Sequence, residues 1–148
     1  MLYHTTIALL LSLALVARSL AAPHTPQPGS EERKAICDGV RSHVLGKVAM
    51  KKPPMKVVFK IEHLNVEGET AWFEGSPRQE SGSYLPEGYL PDVDYCMVVQ
   101  RTKAGWKVIE DLSRTDVPGD EELIGIKKRL KDVPSSIMPK FWRELLKR

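Results

Sequence analysis

The sequence predicts an α+β domain, with an N-terminal helix packed on a four-stranded antiparallel sheet of two hairpins and one or two helices after it. Three observations carry this. Apolar residues recur at helical spacing between Glu31 and Leu45. Four later segments are rich in β-branched and aromatic residues and are joined in pairs by short turns containing glycine. An apolar stripe follows Pro134 near the end of the chain.

Ser30 has the short hydroxyl side chain that caps a helix start, Glu31 and Glu32 suit its positive end, and Ile36, Cys37, Val40 and Val44 fall on one face. Lys56 to Val66 reads as a strand with Val57, Phe59 and Ile61 on one side. The apolar parity then moves to Leu64 and Val66, and a one-residue shift of that kind predicts a bulge. Glu67-Gly68-Glu69 turns the chain into a second strand, Thr70 to Ser76, which contains Trp72 and Phe73. Asp94–Arg101 and Trp106–Leu112 form the second hairpin around a loop ending in Gly105. Between the hairpins lies Pro77–Val93, a long connection without usable periodicity. Asp120–Leu130 opens on acidic residues and closes on Lys127, Lys128 and Arg129, as the helix dipole favours. A last helix capped by Ser136 would carry Ile137, Met138, Phe141, Trp142, Leu145 and Leu146 on its apolar side.

Ahead of the domain, Ile7–Ala17 is an apolar run too short to span a bilayer and of the right length for the core of a signal peptide. Ser19 and Ala21 supply the small side chains a signal peptidase needs, so residues 1–21 read as a cleavable signal. The proline-rich segment 22–29 reads as a flexible tether, and 30–148 as one domain, periplasmic or extracellular. No stable membrane insertion is expected after cleavage. Gly46–Lys56, with Pro53-Pro54, is a basic connector. In an oxidising compartment the two cysteines, Cys37 and Cys96, read as a disulfide. Such a bond would close a loop of about 60 residues and contribute up to roughly 4 kcal/mol.

Cleavage removes Arg18, so the 127 remaining residues carry 21 basic and 19 acidic side chains. A net charge of +2 selects no partner, and together with export it disfavours nucleic acid. The charge is uneven: residues 61–120 sum to −7, flanked by basic ends. A basic surface for an anionic envelope polymer or lipid and mutual neutralisation within the fold are the two readings, of which neutralisation suits such short, interspersed runs better.

The segments ERKAICDGV, KVVFKIEHLNVEGETAWFEGSP, DYCMVVQRTKAGWKVIEDLSRTDV and VPSSIMPKFW together resemble a group of uncharacterised exported bacterial proteins with a cystatin-like or NTF2-like curved sheet wrapped on a helix. The resemblance spans about residues 31–142 and implies a fold, not an activity. Protease-inhibiting cystatins carry a Gln-x-Val-x-Gly hairpin, where this chain has Val98-Val99-Gln100-Arg101-Thr102. Ketosteroid-isomerase-like relatives use a carboxylate and a tyrosine in an apolar cone. Tyr95 beside Asp94, and Glu110 with Asp111, are the nearest counterparts and match no family motif.

No catalytic residue, cofactor or metal site is expected. His24, His43 and His63 lack ligand spacing, Asp92-Val93-Asp94 is too sparse for a calcium loop, and both cysteines are assigned to the disulfide. The near-repeat Tyr84-Leu85-Pro86 and Tyr89-Leu90-Pro91 is the candidate recognition surface, through Tyr84, Leu85, Tyr89 and Leu90. The reading preferred to that one is that these residues fold back to cover the sheet end. Phe141 and Trp142 divide in the same way between an outward surface and the core. The expectation is thus a non-enzymatic binding module, inhibitor- or immunity-like, whose partner is another exported or envelope protein. The alternatives are an isomerase- or hydratase-like enzyme with a small apolar substrate in a sheet cone, which packing by Phe59, Trp72, Val98 and Trp106 would fill, and a structural envelope protein.

Overall fold

The computed structural model describes residues 21–46 and 55–148. The expected signal, apart from Ala21, and most of the basic connector, residues 47–54, lie outside the described residues. The element order is α1 (Glu31–Gly46), β1 (Val57–Glu67), β2 (Thr70–Gln79), β3 (Tyr95–Thr102), β4 (Gly105–Asp111), α2 (Asp120–Arg129), a 3-10 turn (Ser135–Ile137) and α3 (Lys140–Leu145). The strands pair antiparallel in the order β1-β2-β3-β4, so the α+β architecture read from the sequence is the architecture present. Among the described residues no helix is long and apolar enough to cross a membrane.

The sheet is covered on both faces. Side chains alternate along a strand, so Tyr95, Met97 and Val99 of β3 point to α1, while Cys96 and Val98 point to the C-terminal helices. On the first face Ile36, Val40 and Val44 of α1 meet Leu64, Val66, Ala71, Phe73 and Trp106. On the second, Trp72, Cys96 and Val98 meet Leu123, Ile126, Ile137, Trp142 and Leu145. Trp72 and Trp142 lie 5.6 Å apart, centroid to centroid.

Local chemistry sets the boundaries. Ser30 accepts from the Arg33 amide at 3.2 Å and so caps α1. The β1–β2 register shifts between Ile61 and His63, the bulge that the parity change predicts. Gly68 and Gly105, both at positive φ, make the two hairpin turns. The last helix begins after Pro139 instead of at Ser136: the ring of Pro139 cannot occupy a helix interior, so 135–137 forms a separate turn and Pro139 stands at the N-cap of α3.

Three further expectations are corrected. Segment 22–29 is not a free tether, because His24 exchanges both backbone hydrogen bonds with Val66, at 2.9 and 2.8 Å, and Pro26 is buried. It adds a short strap to the outer edge of β1, and strap closure there satisfies backbone groups an edge strand otherwise leaves open. The long connection is also shorter than expected: β2 runs on to Gln79, and Tyr84 pairs back onto Arg78. Finally, Cys37 and Cys96 are both free thiols. Cys37 packs beside the α1 core and Cys96 lies within the opposite one, so the sheet itself stands between them and no bond joins them.

Candidate functional site

The expected recognition residues separate. Leu90 is 9% exposed and belongs to the α1 core, with Leu85 and Tyr89 packed against it. Tyr84 alone of the four remains outside, 76% exposed, with the Arg78 guanidinium 4.0 Å from its ring centre. The loop thus covers the sheet end and leaves one aromatic on the surface.

A hollow of about 370 Å³ opens on the α1 side beside Val44, Pro91, Val93, Tyr95 and Met97, apart from the four side chains expected to fill a cone. Phe59 and Trp106 belong to the α1 side and Trp72 and Val98 to the other, so the four side chains fill two separate cores. Tyr95 donates its hydroxyl proton to the Pro91 carbonyl at 2.8 Å, and burial, followed by the charges of Asp111 and Asp92, pushes its pKa up to about 12. Glu110 and Asp111 diverge to opposite faces, Glu110 to Arg129 at 3.0 Å and Asp111 to His43 at 2.9 Å. A bulge in the β3–β4 ladder adjoins this point. His63 bonds the Ile137 carbonyl at 2.7 Å, and His24 bonds Glu32 at 2.7 Å. Among the described residues no three His, Cys, Asp or Glu side chains converge as metal ligands.

A cleft of about 370 Å³ opens on the C-terminal-helix side at the end of the sheet. Its floor comes from β2 and β3, where Glu74 accepts from Trp72 Nε1 at 3.2 Å and from Cys96 Sγ at 3.6 Å. Burial, then the neighbouring Glu74 carboxylate, pushes the Cys96 thiol far above its ordinary range, so Cys96 is no nucleophile. One wall is α3, with Phe141 edge-on to Trp142 at 5.8 Å. The other wall is the β4–α2 connection, fixed by Arg114. The Arg114 backbone exchanges hydrogen bonds with Asp94, and its guanidinium takes both Glu122 oxygens, at 2.9 and 2.7 Å. That fork lowers the Glu122 pKa and raises that of Arg114.

Two large apolar side chains border this cleft in the open, Val117 at 58% and Phe141 at 53% exposure. Ser76, Asp94 and Tyr95 line it and also a second hollow below Tyr84, so the Tyr84 ring belongs to the same end of the molecule. Sequence reasoning placed Tyr84 and raised Phe141 as a surface or core residue, but missed Val117 and Glu74. Val117 lies in a segment with no periodicity, and Glu74 is a single acidic residue whose neighbours are set by strand pairing. No protein-family model, curated protein or solved structure matches the chain.

Proposed function

We propose that this protein is a small exported binding module that recognises another exported or envelope protein through the sheet end bearing Phe141, Val117 and Tyr84. The observation that carries the reading is the exposure of Phe141 and Val117 on the two walls of one cleft. Exposed aromatics around a polar-floored depression suit a protein contact, because they bury large area with little loss of side-chain freedom. An inhibitor- or immunity-like role fits a rigid surface of this kind. The periplasmic or extracellular placement rests on the apolar run Ile7–Ala17 and the small residues at Ser19 and Ala21. The kinship to cystatin-like exported proteins rests on the helix followed by a four-stranded meander.

Affinity capture from an envelope extract tests it. The wild-type protein is expected to recover one partner in stoichiometric amount, and the double variant Phe141→Ala, Tyr84→Ala to lose it while melting at an unchanged temperature. Recovery of nothing above background, or of the same partner by the double variant, contradicts the reading.

A further inference from the structure

The cleft has a charge as well as a shape. Glu62, Glu74, Asp94 and Asp116 line it, and Arg114 is the one basic side chain among the described residues that does so. Arg114 is shared: its two terminal nitrogens bond Glu122, and one of them also lies 3.9 Å from Asp116, so a single cation faces four carboxylates of the cleft. Glu62 accepts from Ser76 at 3.1 Å and Glu74 from Trp72 and Cys96, all neutral donors that leave the carboxylate charge in place. Asp116 is 83% exposed at the rim. The pocket is therefore negative at its floor and its mouth, with the rings of Phe141 and Trp142 along one side.

A negative floor under aromatic and aliphatic walls matches one kind of side chain. The methylene stem of an arginine or lysine packs against rings and valine while its head reaches a carboxylate, and an aromatic face adds attraction to the cation. An acidic or purely aliphatic segment would leave those carboxylates desolvated without compensation. Building on the binding function above, we propose that the cleft receives a basic side chain, arginine by preference, from an extended segment of the partner protein. Arginine is preferred because its planar fork can meet two carboxylates at once, whereas a lysine ammonium is a single point charge.

The test is titration of the purified protein with a capped Gly-Arg-Gly peptide, followed by backbone amide NMR at Asp94, Arg114 and Phe141. Saturable shifts at these amides are expected, absent with the citrulline peptide that keeps the shape and loses the charge. Glu74→Gln retains an acceptor for Trp72 and should weaken binding by about tenfold, the order expected for one charge-assisted contact. Asp116→Asn, at the exposed rim, should weaken it by a smaller factor and guards against a folding defect in the first variant. Salt at about 1 M, where the screening length falls to about 3 Å, should weaken it further. Equal binding of the citrulline peptide, guanidinium ion binding as tightly as the peptide, or no shift at these amides overturns the proposal. If a captured partner depends on Phe141 yet the arginine peptide does not bind, the binding function stands and only the basic ligand falls. If no partner is captured although the peptide binds, the cleft chemistry stands and the binding function fails.

Discussion

The two faces of the sheet are closed by different means. A single helix of 16 residues covers one, contributing Ile36, Val40 and Val44 at successive turns. Three pieces cover the other: a helix of 10 residues, a turn of 3 and a helix of 6. None of these is long enough to hold its shape alone in water, so their order comes from what they bury. Trp142, Ile126, Ile137 and Leu145 supply that burial against Trp72 and Val98. Hollows border α1 too, along β4 and beside Val44 and Met97, but the segmented cover leaves a seam where its pieces meet the strand ends. The cleft, Phe141 and Val117 all occur at that seam.

If the segmented face depends on its aromatic anchor, Trp142→Ala should be the most damaging single change. Removing a side chain only 3% exposed from between Trp72 and Phe141 should cost about 3–5 kcal/mol in a denaturant melt. A loss under about 1 kcal/mol would mean that the short helices are held by something else.

Glycine substitutions sharpen the contrast at intermediate size. A Cβ at Gly39 would collide with the Trp106 carbonyl, because α1 lies directly on β4. The roughly 1 kcal/mol of helix propensity that alanine adds cannot offset moving the helix away. Gly39→Ala should therefore destabilise by about 1–3 kcal/mol net. At Gly125 in α2 a Cβ would meet only the flexible Arg129 side chain at 3.4 Å, so Gly125→Ala should stabilise by about 0.5–1 kcal/mol. Thermal melts of the two variants should move in opposite directions, and movement in the same direction would remove the difference in closeness between the two covers.

The smallest effect concerns the strap on β1. The hydrogen bond that His24 donates to Glu32 raises the His24 pKa above 6.5, with Arg101 nearby opposing it. Protonated His24 thus favours the docked strap. Its contribution is fully present below pH 6.5 and is lost as pH rises through the higher folded value. The ring is 45% exposed, so the effect stays below about 1 kcal/mol. Exchange of the Val66 amide, which donates to His24, should quicken as pH passes from about 6 to about 8 by more in the wild type than in His24→Ala, after correction for intrinsic exchange. Equal pH dependence in the two proteins would show that His24 protonation does not hold the strap.

Strand and helix positions were legible because periodicity and turn chemistry are local. The bulge at Ile61/His63 was readable for the same reason, since it leaves its mark as a parity change within β1. The side of the sheet taken by the C-terminal helices was overlooked, although a signal for it exists. Tyr95-Cys96-Met97-Val98-Val99 is apolar without interruption, the mark of a strand buried on both faces. Read that way, Cys96 and Met97 must face different cores, and a bond from Cys37 depends on parity and not on loop length. The strap was missed because its two bonds pair His24 with Val66, a partner 42 positions away that no local rule selects. The cleft was missed for the same physical reason, being assembled from three strands, a connection and a helix.

Peptide mapping of the folded monomer, alkylated without reductant, most directly tests whether the sheet separates two independent cores. Cys37 and Cys96 should each be recovered singly alkylated, even after mild oxidation, with Cys96 blocked only once the chain is unfolded. A peptide joined through Cys37 and Cys96 in the native monomer would place both sulfurs on one face and contradict the architecture from which the cleft follows.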